Sequence, residues 1–134
     1  MKNGIKAVEA LAIYLNDRLN CKVFKFAKDP LFTGKPYICL NYLSVQYGAW
    51  VNESCIVNVN VHYPSMSNGQ PNTIELAKLS DSVTELIPCR NTQTEDDNDE
   101  LLLDGFRYEL ESDSNCMEDN DSTYFINLRV KVTF

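Results

Sequence analysis

Cys55-Ile56-Val57-Asn58-Val59-Asn60-Val61-His62-Tyr63 decides how this chain folds. Cys55, Val57, Val59, Val61 and Tyr63 point one way, and Asn58, Asn60 and His62 the other, with Ile56 as the exception. Nine residues with a period of two mark a strand that buries one face and shows polar groups on the other. Tyr124 to Phe134 repeats the pattern, with Ile126, Leu128, Val130 and Val132 alternating with Asn127, Arg129 and Lys131. Two such strands need apolar cover on one side only, which amphipathic helices supply.

Working outward, Ile5, Val8, Leu11, Ala12, Leu15 and Leu19 recur at helical spacing, which predicts a helix from Gly4 or Ile5 to about Leu19, with Asn20 near its C-cap. A second helix starts near Asn72, whose side chain can cap free N–H groups with Glu75 three residues on, and Pro88 stops it. Its stripe is Ile74, Leu76, Ala77, Leu79, Val83, Leu86 and Ile87. Lys22 to Lys28 and Tyr37 to about Leu43 read as strands separated by Asp29-Pro30 and Gly34-Lys35-Pro36, and Phe106 to Leu110 as another. Ser44 to Ser54 is open between bent strand and protruding loop; Cys89 to Leu103 reads as a loop that could hide a short strand at Leu101 to Leu103. The expected fold is therefore α+β: one domain over residues 1–134, a mainly antiparallel sheet of four to five strands, and two amphipathic helices packed on one face.

The net charge of −7 argues against a nucleic-acid-coating role, which needs a basic surface. That charge is uneven. From Glu95 to Asp121 there are twelve acidic residues and one basic, Arg107; the remainder carries a net +4. Acidic loops are expected at about 90–104 and 111–122, hydrated by self-repulsion or serving as an electrostatic surface. No apolar run reaches the roughly 18–20 residues of a membrane span. Lys6 and Glu9 interrupt the first apolar stretch, which does not read as a signal peptide.

Chemical motifs are sparse. The five cysteines, Cys21, Cys39, Cys55, Cys89 and Cys116, are odd in number and widely spaced, which reads as free thiols rather than a disulfide framework or a zinc site. His62, the one histidine, lies on a polar strand face and reads as a surface residue; a Cys–His pair is conceivable with Cys39 or Cys55, although Cys55 sits on the opposite face of the strand. No phosphate-cradling glycine loop is present, and the acidic runs miss the spacing of an EF-hand. The expectation is no enzyme, no cofactor and no metal. Tyr47 and Trp50, in a Gly/Ala-flanked segment, suit anchors at a protein interface, and Arg129 and Lys131, on the polar face of the last strand, are further interface candidates.

The whole-chain order carries a resemblance. A helix from Ile5 to Leu19, the strand Pro36-Tyr37-Ile38-Cys39-Leu40, the strand ending Val59-Asn60-Val61-His62-Tyr63, a helix ending Leu86-Ile87-Pro88 and the alternating strand Tyr124 to Phe134 follow one another. This order resembles the tail terminator, or tail completion, proteins of long-tailed bacteriophages. The resemblance covers nearly the whole chain, through an architecture rather than a signature. It implies a virion tail protein, assembled in the bacterial host cytoplasm, that forms a homo-hexameric ring. Such a ring binds the last subunits of the tail tube, stops its polymerisation, meets the head connector and lets DNA pass without sequence-specific binding. Alternatives are another head–tail joining or tube-like phage protein, a cellular transport or secretion accessory protein, and a small ligand-binding or enzymatic domain with a site near His62. Under the ring reading, Asp96, Asp97, Asp99 and Glu100 form an acidic lumen surface that repels DNA phosphates. Replacing these four by their amides is then expected to slow DNA ejection in an infection assay while tails still assemble; an unchanged ejection rate sinks the lumen role.

Overall fold

The structure is a computed structural model, and it describes residues 3–43, 46–48, 51–89 and 100–134. In chain order the elements are α1 (Gly4–Arg18), β1 (Lys22–Lys25), β2 (Tyr37–Tyr42), β3 (Gln46–Gly48), β4 (Val51–Pro64), α2 (Thr73–Thr84), β5 (Leu101–Leu103), β6 (Phe106–Asp113), β7 (Met117–Glu118) and β8 (Thr123–Thr133). All eight strands belong to one sheet, ordered β1-β2-β4-β8-β6-β5, with β3 added to β4 and β7 to β8. The sheet curls into a half-barrel.

Strands β4 and β8 run antiparallel from Ser54↔Thr133 to Pro64↔Thr123. Because both alternate with a period of two, this register stacks Val57 on Val130, Val59 on Leu128 and Cys55 on Val132, all buried. The same face receives Ala7, Val8, Leu11 and Leu15 from α1, and Leu76 and Val83 from α2 with Ile87 just beyond it. Tyr14 of α1 donates its hydroxyl hydrogen to the carbonyl of Leu86, joining the two helical segments, and buried Tyr108 on β6 reaches the Ala7 carbonyl at 2.6 Å. Helix α1 begins where Asn3 accepts a bond from the Lys6 amide, and α2 where Asn72 accepts one from Glu75.

The expected mainly antiparallel sheet of four to five strands is corrected to a mixed, eight-stranded sheet that dominates the fold. Strand β1 ends at Lys25 and pairs in parallel with β2, Lys22↔Tyr37 to Lys25↔Leu40. The loop from Phe26 to Pro36 is thus a crossover rather than a hairpin turn, and Phe26 adopts φ 69° as it leaves the strand. Strands β3, β5 and β7 are two or three residues long, too short for alternation to show. The stretch Ser44 to Ser54 resolves in part: Gln46↔Ser54 and Gly48↔Val51 pair β3 with the first residues of β4. Within the helices Ile5 and Ile74 are corrections, 48% and 68% exposed despite their places in the expected apolar stripes. Helix α1 ends on Leu19 as its C-cap, one residue before Asn20.

Gly4, buried at the start of α1, is fixed by close approach: a Cβ there would lie 2.4 Å from the ring of Tyr42. Gly4→Ala is expected to lower stability by about 1–3 kcal/mol in urea denaturation, the usual cost of overpacking. A Gly4→Ala, Tyr42→Ala double variant is expected to lose less than the two single losses added together.

Candidate functional site

The face of the sheet away from the helices is built in cross-strand rows. Register places Tyr37 of β2, His62 of β4 and Phe125 of β8 side by side. Their rings stack, with centroids 4.3 Å apart for Tyr37–His62 and 4.9 Å for His62–Phe125. The next rows are Cys39–Asn60–Asn127 and Asn41–Asn58–Arg129. Here the amides bond to each other: Asn58 donates to Asn41 at 2.9 Å, and Asn127 donates to Asn60 at 2.8 Å and to Asn58 at 3.3 Å.

The turn between β7 and β8 closes over the aromatic row. Asp121 accepts hydrogen bonds from the Tyr37 hydroxyl and the Thr123 hydroxyl, both at 2.5 Å, and pairs with Lys28 of the crossover at 3.3 Å. His62 Nδ1 lies 3.0 Å from Thr123 Oγ1 and 3.7 Å from Asp119. Since the single Thr123 hydroxyl hydrogen goes to Asp121, Nδ1 carries the imidazole hydrogen and donates it to Thr123. His62 is 5% exposed, which corrects its reading as a surface residue. Local alternation puts it on the polar face, but only the fold brings residues 119–121 over it.

Lys28, Tyr37, His62, Asp119 and Asp121 line an open cleft of about 420 Å³ together with Phe26, Cys39 and Asn60. Burial lowers the pKa of His62, which the Asp121 and Asp119 charges oppose and Lys28 reinforces, so His62 is neutral at pH 7. Burial pushes the Asp121 carboxyl up, but bonds from Thr123, Tyr37 and Lys28 and the Lys28 charge outweigh it and bring the group to about 2. The Tyr37 hydroxyl is raised by burial and by its bond to Asp121.

Chemically the cleft offers two possibilities. Cys39 shares the face and the cleft with His62, but burial and then the Asp119 charge raise its thiol, the opposite of an activated nucleophile. His62, Asp119 and Asp121 each bring one ligand atom within 4.8 Å of the others, a nitrogen–oxygen set suited to Zn²⁺ or Mn²⁺. The sequence reading, which expected no metal, did not assemble this trio. The oxygens of Asp121 already accept three donors, one of them the Lys28 ammonium, so an ion would have to displace Lys28.

The residues singled out from sequence lie elsewhere. Arg129 is exposed and Lys131 half-buried on the polar face, nearer the opposite end of β8 from Phe125. Tyr47 lies in β3, while Trp50, Asp96, Asp97 and Asp99 fall outside the described residues. Glu100 is exposed just before β5 and pairs with Arg107 at 3.7 Å. The structure does not bring the described members of this set to the His62 cleft. Compared with known proteins, the chain matches no family model, and no curated protein matches it significantly.

The network makes stability depend on pH in two separate windows. The folded pKa of Asp121 is depressed, so its contribution is present above the ordinary carboxylate range and fades as pH falls from about 4 toward 2. Asp121→Asn is expected to cost about 2 kcal/mol at pH 7, with the gap to the native chain closing below pH 4. His62 is also depressed, so the unfolded chain takes up the extra proton and stability falls as pH drops below about 6.5. Urea titrations from pH 8 to pH 3 check both, and His62→Gln is expected to flatten the upper window only.

Proposed function

We propose that this chain is a structural, non-catalytic subunit that caps the tail tube of a long-tailed bacteriophage. In this reading it acts as a homo-hexameric ring in the virion tail, with the tube protein on one side and the head connector on the other, and DNA passing through its lumen. The observation that carries the reading is the overhang of the central strand. Strand β4 starts at Val51, three residues before its pairing with β8 begins at Ser54. Since β8 occupies one side at Ser54, β3 lies on the other, along the side where β2 pairs further on. The sheet thus continues as a two-stranded ribbon of roughly 10 Å beyond β8. Such a ribbon is marginal in isolation and gains stability by seating on another subunit. It also contains Tyr47, one of the two aromatic anchors expected of an interface.

The order of long elements supports the same reading. A helix precedes the Pro36-Tyr37 strand, the valine-rich strand, a second helix and the closing strand β8. The polar face, half-buried amides with Arg129 beside them, presents hydrogen-bonding groups that suit a protein neighbour.

A second reading has one observation in its favour, the buried and oriented His62 in its cleft. It makes the chain a small ligand-binding or enzymatic domain.

Purified chain added to polymerising tail tube subunits is expected to halt growth and to appear as a ring at one tube end in negative stain. The His62→Gln variant is expected to cap as well as the native chain. Tubes that grow unchecked, with no chain bound, overturn the capping reading, and a capping chain that fails with His62→Gln ties capping to the cleft.

A further inference from the structure

We propose that copies of this chain join head to tail through their two unlike sheet edges, β1 of one copy adding to β5 of the next. This rests on the ring reading above and specifies the contact that would close the ring. The sheet ends in β1 on one side and β5 on the other, and among the described residues no strand lies beyond either. An uncovered edge offers a row of N–H and C=O groups to another chain, and strand addition is a common way to take them up.

The two edges differ in character. Strand β1 presents Lys22 and Lys25, both exposed, at its ends. Strand β5 is Leu101-Leu102-Leu103, with Leu102 59% exposed, framed by exposed Glu100 and Asp104. Three leucines on an edge carry none of the lysine or proline that usually discourages pairing.

Charge selects the partner. Two β1 edges would place lysines against lysines, and two β5 edges carboxylates against carboxylates, and both are penalised. Of the pairings between these two ends of the sheet, only β1 against β5 sets ammonium beside carboxylate, and β5 offers three residues to pair where the other acidic strand with an open side, β7, offers two. The Glu100–Arg107 pair does not compete strongly, because it is long and exposed. A contact between unlike patches is heterologous, so it repeats around an axis until it closes or runs on as a filament.

The test uses two variants of the full chain whose substituted positions are all exposed: Lys22→Glu with Lys25→Glu, and Glu100→Lys with Asp104→Asn. In the first the framing residues of both edges are acidic; in the second β5 loses both carboxylates that frame it and gains one cation. Light scattering across a concentration series is expected to show the native ring, each variant alone assembling at least tenfold less readily, and an equimolar mixture forming rings again with the variants alternating. Circular dichroism checks that both variants fold. Rings of native stability from either variant alone, or no recovery on mixing, overturn the edge contact and leave the capping reading to the tube assay. A native chain that stays monomeric at every concentration also overturns the edge contact, and tube binding then decides the capping reading on its own.

Discussion

The antiparallel pairing of β4 with β8 is the constraint from which the rest of the structure follows. Eleven residue pairs, Ser54↔Thr133 to Pro64↔Thr123, hold two strands whose alternation agrees in phase. A slip of one residue would carry Val57, Val59 and Val61 to the polar side and bring Asn58 and Asn60 under the helices, so burial on one face fixes the register. With that register set, α1 and α2 have a single apolar surface to cover, and β2 and β6 extend it on either side.

The same register builds the opposite face. Together with the β2–β4 register it places Tyr37, His62 and Phe125 in one stacked row and brings Asn41, Asn58, Asn60 and Asn127 within hydrogen-bonding distance. The turn at residues 119–121 then locks over the row because Asp121 collects donors from β2, β8 and the crossover loop. Each donor favours the ionised carboxylate, which opposes the desolvation that accompanies burial. The Lys28 ammonium thus offsets one of the two carboxylates, Asp119 and Asp121, that face the neutral His62.

How much of this was legible depended on length and on locality. Strands β4 and β8 announce themselves because nine or more residues alternate, and Asn72 announces α2 because its cap lies three residues from Glu75. Strand β5 is only Leu101-Leu102-Leu103, yet Asp104-Gly105 follows, and both residues take positive φ in the two-residue turn to Phe106. That dipeptide is a hairpin signal that the surrounding acidity obscured. The parallel pairing of β1 with β2 has no local signature, because Asp29-Pro30 and Gly34 punctuate a crossover and a hairpin alike. His62 was misread as exposed because its cover comes from residues almost sixty positions away.

That separation has a consequence for how the chain acquires its shape. The residues joined across β4 and β8 are 59 to 79 positions apart in sequence, so the central pair closes a long loop before it gains any contacts. Topologies dominated by such distant pairings fold slowly compared with helical bundles. During synthesis β4 has its β2 neighbour early, but the partner on its other side arrives only with residues 123–133. Until then Val57, Val59 and Val61 have an incomplete core, and the longest strand of the molecule lacks its main partner. The nascent chain therefore passes through a period in which the valine-rich face of β4 is open to other chains, and the acidic residues between Glu95 and Asp121, made just before β8, supply mutual repulsion during that interval.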